Sequence, residues 1–358
     1  MTRRNKSILL IVVTLLFLAA HFAEANQNSD SSNFIQPALK LLKEGQTKEA
    51  VSTLETMVKN NPNNHEARLV LANLYVSENE TDKAEKNYLE VIRMDPNNAQ
   101  AHNNLGLVYL KKGAAKKAMD SFRTAIEKDP KLAEAHYNLG EAALLAGFPK
   151  TAADHFKKAL ELTPKDLSLH AKLGTALAQS GSIQKAIPHF EKAIQANPND
   201  FQSKSDLGFA YLEEDNPEKA SQYFQKVLEA HPNSTMAHYG LGLSLKALKK
   251  PNEAILEFKK ANESSPKFVD SYLEAGAVWT QLGKHEEAKT AFETAAQIYR
   301  DLFKKGASSS VGRLRFSEVL IQLGKHKEAK ENLQKVLKAE KPQSVTYAQA
   351  QSLMEKIK

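Results

Sequence analysis

The sequence predicts an all-α protein built from repeated pairs of short helices. Ala, Leu, Lys and Glu dominate the composition, and no long β-branched run follows residue 25. The amphipathic segment AHNNLGLVYLKKG at residues 101–113 also returns as AHYNLGEAALLAG at residues 135–147, 34 residues later. Self-similarity at a fixed period indicates a repeat architecture rather than the two or three compact domains that 358 residues otherwise suggest.

Prolines, small residues and aromatic rings all recur with this period. The prolines are Pro62, Pro96, Pro130, Pro164, Pro198, Pro232 and Pro266. The small residues, ten positions further on, are Ala72, Gly106, Gly140, Gly174, Gly208, Gly242 and Gly276. The rings, another sixteen positions on, are Tyr88, Phe122, Phe156, Phe190, Phe224, Phe258 and Phe292. Each proline is expected to end a helix pair, and each in-helix glycine, which costs about 1 kcal/mol relative to alanine, predicts close approach of the second helix.

A second set of glycines marks the turn inside each pair. These glycines are Gly113, Gly147, Gly181, Gly283 and Gly324. A glycine just after a helix typically adopts a positive φ, which predicts that the first helix of the pair ends there.

The complete pattern resembles the tetratricopeptide repeat, a 34-residue helix-turn-helix unit. The resemblance covers residues 31–343, with repeats starting near residues 31, 65, 99, 133, 167, 201, 235, 269 and 310. It implies a right-handed superhelical solenoid of about nine repeats, whose concave groove is lined by the first helices. The last repeat is displaced by seven residues, so AQIYRDLFKK at 296–305 predicts an extended second helix, and residues 344–358 predict a capping helix.

Residues 1–25 have the layout of a secretory signal peptide. Arg3, Arg4 and Lys6 precede an apolar run at residues 8–20, and small residues at 23 and 25 predict cleavage before Asn26. An uncleaved membrane anchor over residues 7–23 is the alternative, although the run is short for a hydrocarbon core of about 30 Å. Cleavage predicts a periplasmic or secreted protein and the anchor a membrane-anchored one, so both place the body, after a polar spacer at residues 26–33, outside the cytoplasm.

The net charge of +7 is concentrated at the C-terminal end. Residues 303–358 carry 12 Lys and Arg against 5 Asp and Glu, so residues 1–302 sum to zero. These lysines alternate with glutamates and lack interleaved aromatics, which predicts a solvated helix face and no nucleic-acid partner. Docking on an acidic protein or on lipid headgroups is the alternative. The absence of cysteine excludes disulfides and thiolate chemistry.

Histidines occupy the fourth position of several repeats. They are His102, His136, His170 and His238. Equivalent side chains of successive repeats point in parallel from helix axes that lie about 8–10 Å apart. A zinc ion needs each ligating nitrogen at about 2.0–2.1 Å, so we expect these histidines to pack between helices rather than to share a metal. Gly240 and Gly242 lie inside a helix without a preceding strand, which predicts close packing rather than a phosphate loop. No arrangement of nucleophile and base is found, so we expect no enzyme, no cofactor and no metal.

In this family, positions 2, 5, 6, 9, 12 and 13 of the first helix line the groove. The resemblance therefore implies a partner-binding groove that contains Asn73, Asn104, Tyr137, Asn138, Lys172, Phe209 and Tyr239. Asn104 and Asn138 resemble two rungs of the asparagine ladder of the O-linked N-acetylglucosamine transferase superhelix. Their amides both donate and accept, which suits the backbone of an extended peptide. A solvated role for these asparagines is the alternative.

Asn73 and Asn104 also resemble half of the two-carboxylate clamp of chaperone-binding members. The basic residues of that clamp are absent, because the matching places hold Leu69, Glu134 and Asn138, and this disfavours an acidic C-terminal tail as ligand.

These observations predict a non-enzymatic scaffold or adaptor of the cell envelope that binds a peptide segment or helix of a protein partner. By analogy with related exported repeat proteins, the alternative is a membrane-tethered assembly factor for a secretion, pilus or polysaccharide-export complex. A carbohydrate-binding or regulatory subunit of an enzyme is the least favoured interpretation.

Overall fold

A computed structural model describes residues 35–357, and this part of the chain contains nineteen helices and no strand. The chain divides into two compact units, which meet in sequence between Ser182 and Ile183. The predicted signal peptide and spacer lie outside the described residues. Within residues 35–357, no helix combines the length and the apolar character that a membrane span requires.

Unit 1, described from residue 35 to residue 182, contains nine helices. They are α1 (Gln36–Lys43), α2 (Thr47–Asn60), α3 (His65–Ser77), α4 (Thr81–Met94), α5 (Ala99–Lys111), α6 (Ala115–Lys128), α7 (Ala133–Leu145), α8 (Pro149–Leu162) and α9 (Ser168–Gln179). We call the odd-numbered helices A helices and the even-numbered helices B helices. Each B helix packs on the A helix before it and on the A helix after it, which makes the unit a helical repeat solenoid.

Unit 2 contains ten helices and begins with a B helix. They are α10 (Ile183–Ala196), α11 (Phe201–Glu213), α12 (Pro217–Ala230), α13 (Thr235–Ala247), α14 (Pro251–Ser264), α15 (Val269–Gln281), α16 (His285–Lys304), α17 (Ser310–Gln322), α18 (His326–Ala339) and α19 (Val345–Lys356). The 20-residue α16 confirms the predicted extended helix. The last helix, α19, packs against α17 and α18, where Ala350 is buried with Leu333 and Val336.

The in-helix glycines make room for the aromatic ring of their own repeat. A Cβ atom on Gly106 would lie 2.5 Å from the Phe122 ring, and one on Gly242 would lie 2.5 Å from the Phe258 ring. The predicted close approach is therefore confirmed, and the ring occupies the missing side chain's volume. Gly240 makes room for the ring of the preceding repeat, because its Cβ would lie 2.3 Å from the ring of Phe224.

The loops between repeats start each new A helix. Asn64 Oδ1 accepts the backbone N–H of Ala67 at 2.8 Å, and Asn98 Oδ1 accepts that of Ala101 at 2.9 Å. Such caps satisfy a donor that the first turn leaves without an intrahelical partner. Caps of this kind fix the start of several A helices, whereas α7, α9 and α15 begin without a side-chain cap.

The turns inside the helix pairs have the predicted positive φ at glycine. Gly113 and Gly147, for example, have φ of 73° and 79°. Repeats without this glycine keep the same conformation at Asn79, Asp215 and Lys249, with φ between 54° and 66°. The left-handed region is unfavourable for L-residues, most of all for one such as lysine that gains no local hydrogen bond there. The turn geometry is thus imposed by the packing of the two helices.

Candidate functional site

Side-chain amides from three successive A helices of unit 1 form one hydrogen-bonded network. We call it the amide row: Asn73 on α3, then Gln100, Asn103 and Asn104 on α5, and Asn138 on α7. Asn104 Nδ2 donates to Asn73 Oδ1 at 2.9 Å, and Asn138 Nδ2 donates to Asn103 Oδ1 at 2.9 Å. Within α5, Gln100 Nε2 and Asn103 Nδ2 donate to Asn104 Oδ1 at 2.9 Å and 3.2 Å. The row therefore connects α3, α5 and α7.

A buried tyrosine fixes one end of the amide row. The Tyr88 hydroxyl donates to Asn73 Oδ1 at 2.6 Å, and the Tyr88 side chain is fully buried. Burial raises the pKa of the Tyr88 phenol above its ordinary value, so the hydroxyl stays protonated and remains a donor. Asn73 is thus held in one orientation by bonds from two sides.

The exposed part of the amide row presents N–H donors. Asn103 and Asn138 are buried, whereas Asn73 and Asn104 are half-buried. An amide oxygen has two lone pairs, and those of Asn73 and Asn104 each accept two internal bonds. Asn104 Nδ2 donates to Asn73 and also interacts with the Tyr88 hydroxyl, whereas no hydrogen bond among the described residues uses Asn73 Nδ2. The chemistry left at Asn73 is donation, which suits the carbonyl oxygens of a peptide backbone, while the oxygen of the half-buried Gln100 can accept a backbone N–H.

Tyr137 and Lys172 lie beside Glu141 in unit 1. Lys172 Nζ is 3.0 Å from Glu141 Oε2, so an ion pair joins α9 to α7. The Tyr137 ring is tilted against the Phe156 ring, with centroids 5.8 Å apart. Burial, followed by the Glu141 charge, raises the pKa of Tyr137, which keeps the phenol neutral. Five of the seven predicted groove residues thus belong to unit 1.

The other two predicted residues, Phe209 and Tyr239, belong to unit 2. The Phe209 ring meets the Phe224 ring edge-on at 4.9 Å, and the Tyr239 ring meets the Phe268 ring edge-on at 5.1 Å. Burial raises the pKa of Tyr239 to about 12, and the neighbouring Glu274 carboxylate adds to the shift. Both rings are half-buried and packed on core aromatics.

The A helices of unit 2 are linked by ion pairs that the sequence analysis did not single out. Lys246 Nζ on α13 lies 2.7 Å from Glu274 Oε2 on α15. Arg315 on α17 lies 2.6 Å from Asp270 Oδ1 on α15. We call these four residues the ion-pair row. All four occupy groove positions of their repeats. Their positions in the repeat could therefore have placed them in the groove from the sequence alone.

The fourth-position side chains bind the loop that precedes their own helix. His102 Nε2 lies 3.1 Å from the carbonyl oxygen of Pro96, and His238 Nε2 lies 2.8 Å from that of Pro232. A carbonyl can only accept, so Nε2 is the donor. Other side chains make the equivalent bond elsewhere: Arg68 to Pro62, His136 to Pro130 and Tyr272 to Pro266. Among the residues that the structure describes, no cluster of three or more His, Asp or Glu has the geometry of a metal site.

Two of these histidines have contrasting partners on the B helix. In unit 1, His136 Nδ1 lies 3.1 Å from His155 Nδ1, and burial lowers the pKa of both imidazoles. Because His136 donates from Nε2, its neutral form accepts at Nδ1 and His155 donates. In unit 2, His238 Nδ1 faces Glu257 Oε2 at 2.6 Å, and Lys260 Nζ binds Glu257 Oε1 at 2.7 Å.

Family models match most of the chain. Tetratricopeptide repeat models match residues 72–113, 99–132, 237–268, 269–302 and 313–342. The model described as the tetratricopeptide domain of cytochrome c-type biogenesis protein H matches residues 121–239. The chain belongs to the tetratricopeptide repeat family. No curated protein matches it significantly.

Solved structures show the same fold. A tetratricopeptide repeat protein from Parabacteroides merdae is 18% identical, with 72% of this chain and 98% of that chain covered and a TM-score of 0.57. PilF from Pseudomonas aeruginosa is 21% identical over 58% of this chain and 94% of its own, with a TM-score of 0.50. YrrB, described as having an unusual peptide-binding site, is 23% identical over 51% and 95%, with a TM-score of 0.46.

Family and fold together define the class of protein. Tetratricopeptide repeats form scaffolds for protein or peptide partners, and the fold is typically non-catalytic. This chain is a helical repeat scaffold for protein interactions.

Proposed function

We propose that this chain is an exported, non-enzymatic adaptor that binds an extended segment of a protein partner along the amide row of unit 1. One observation carries the proposal: Asn73 is half-buried, its oxygen is saturated by bonds from Tyr88 and Asn104, and its N–H groups remain for a partner. Backbone carbonyls recur along any extended peptide, so these donors recognise the main chain whatever its sequence.

Selectivity comes from the residues next to the row. Tyr137 offers an apolar ring with a neutral hydroxyl, and the Lys172–Glu141 pair offers both signs of charge at one place. A segment with one aromatic or aliphatic side chain near a polar one fits this mixture. In unit 2, Phe209 and Tyr239 are candidates for a second apolar contact.

The pattern of residues 1–25 supports a role in the cell envelope, with a periplasmic or secreted protein after cleavage before Asn26. The second candidate is a membrane-tethered assembly factor, which the same apolar run at residues 8–20 favours if it is retained. N-terminal sequencing of the exported protein separates the two. A new N-terminus at Asn26 supports the free adaptor, and an intact Met1 supports the tethered factor.

The binding site is tested by Asn73→Asp in the full chain. Aspartate keeps an oxygen for Tyr88 and Asn104 but removes both N–H donors, so the fold is retained while donation is lost. Chemical cross-linking in the native host, followed by purification and mass spectrometry, measures the yield of captured partner. We expect at least a tenfold lower yield for Asn73→Asp.

The matched control is Glu90→Ala with Arg93→Ala, which removes an exposed ion pair of α4, a B helix of unit 1. This control should leave the yield unchanged. Equal yields from the wild type and Asn73→Asp, or a loss confined to the control, would exclude the amide row as the site.

A further inference from the structure

The last B helix and the turns that flank it present a set of lysines to solvent. We call this set the basic face: Lys325, Lys327, Lys330, Lys335, Lys338 and Lys341. All six are exposed, and among the ion pairs of residues 35–357 none involves them. Two other cations of this region are paired, Arg300 with Glu328 and Arg315 with Asp270.

Packing fixes the direction in which the basic face points. Ala329, Leu333 and Val336 form the buried side of α18. At about 100° per residue, Lys327, Lys330 and Lys338 lie on the opposite side within a narrow arc. Their exposed neighbours on that side are Glu331 and Gln334, so the face contains no apolar residue.

The composition of this face decides what it can bind. Protein interfaces depend on buried aromatic or aliphatic anchors, and isolated lysine–carboxylate pairs at an exposed surface contribute little. Single-stranded nucleic acid needs aromatic stacking platforms, which the face lacks. A surface of mobile anionic headgroups needs neither, because each nearby lysine raises the affinity about fivefold independently of the others.

We propose that the basic face docks unit 2 on an anionic lipid membrane. The lysines are suited to this because each ammonium is a flexible, hydrated point charge that does not require a partner of fixed geometry. The docked orientation directs α18 towards the lipid headgroups. The attraction is electrostatic and is therefore weakened by salt.

The test uses the full chain with Lys327→Glu, Lys330→Glu and Lys338→Glu. Co-sedimentation is measured with vesicles of phosphatidylglycerol and phosphatidylcholine in equal parts, and with vesicles of phosphatidylcholine alone. We expect the wild type to prefer the anionic vesicles, and the variant to bind them at least tenfold more weakly. Any contribution of residues 1–25 is the same in both chains and cancels in the comparison.

A matched control carries Lys86→Glu, Lys131→Glu and Lys157→Glu, which are exposed lysines of unit 1 outside any ion pair. The control should bind almost as well as the wild type, and circular dichroism should show equal helix content for all three chains. Equal loss in the control, or equal binding of the wild type to both vesicles, would overturn the proposal. Binding of polyglutamate peptide with no preference for anionic vesicles would assign the face to an acidic protein and likewise overturn it.

Discussion

Unit 1 and unit 2 are built from the same repeat, yet they link their A helices by different chemistry. In unit 1 the link across α3, α5 and α7 is the amide row, which is neutral and partly buried, as at Asn103 and Asn138, and one ion pair, Lys172–Glu141, joins α7 to α9. In unit 2 the link is the ion-pair row, in which Lys246 and Arg315 are partly exposed and open to screening by salt. The two units share their glycine, proline and aromatic positions, which specify the packing. They differ at the groove positions, which are therefore available to specify the partner.

The largest expected effect tests whether the cores of the two units are equivalent. Phe156→Ala in unit 1 and Phe258→Ala in unit 2 each remove a fully buried ring that fills the space beside a glycine. Each should reduce the free energy of unfolding by about 3–5 kcal/mol through cavity formation. Denaturant unfolding gives the magnitudes, and hydrogen exchange should show loosening of the adjacent repeats first. A cost below about 1 kcal/mol in either unit would break the equivalence.

The next prediction contrasts the two rows directly. Asn103→Ala leaves the buried Nδ2 of Asn138 without its acceptor and should cost about 1–3 kcal/mol. Glu274→Gln weakens a partly exposed ion pair and should cost less than about 1 kcal/mol. Thermal unfolding at two salt concentrations provides the measurement. If the Glu274 variant loses more stability than the Asn103 variant, the amide row is not the stronger link.

Acidification should destabilise unit 1 through its pair of neighbouring histidines, His136 and His155. The pKa values of His136 and His155 are lowered in the folded state from the ordinary value of 6.5. As the pH falls below about 6.5, the unfolded chain binds more protons than the folded chain, so stability declines. Lys158 and Arg123 lie near the pair and further disfavour its protonation, whereas Asp154 favours it. In unit 2 the corresponding imidazole, His238, faces the carboxylate of Glu257 instead of a second histidine.

Melting temperatures between pH 7.5 and pH 5.5 measure this effect. The wild type should lose stability on acidification, and His136→Gln with His155→Gln should flatten the dependence. An unchanged slope in that double variant would remove the pair as the cause.

The smallest expected effect concerns the turns. Lys249→Gly should stabilise unit 2 by about 1 kcal/mol, because glycine adopts the φ of 58° without strain. Gly147→Ala in unit 1, where φ is 79°, should destabilise by a similar amount. Thermal unfolding distinguishes the two signs, and a destabilised Lys249 variant would show that the lysine side chain itself supports the turn.

The periodic residues made most of the fold predictable from the sequence. The glycine at 106 with the ring at 122, and the turn glycine at 113, each predicted a local geometry that the structure has. The bonding inside the amide row was not predictable, because a period assigns a side chain to a face but does not determine its hydrogen-bond partners. Gln100 and Asn103 were overlooked although both occupy groove positions.

The charge pairs of unit 2 were missed for a related reason. Lys246 and Glu274 are 28 residues apart, and Asp270 and Arg315 are 45 apart. Neither interval equals the repeat length, so only the register of neighbouring A helices brings these residues together.

The central claim is that a partner segment lies on the amide row of unit 1. Hydrogen exchange with mass spectrometry, performed on the full chain alone and with its cross-linked partner, tests this claim most directly. Binding on the amide row should slow exchange in α3, α5 and α7 and leave the exchange of the B helices in unit 1 unchanged. Slower exchange confined to unit 2 or to the B helices, with α3, α5 and α7 unaffected, would contradict it.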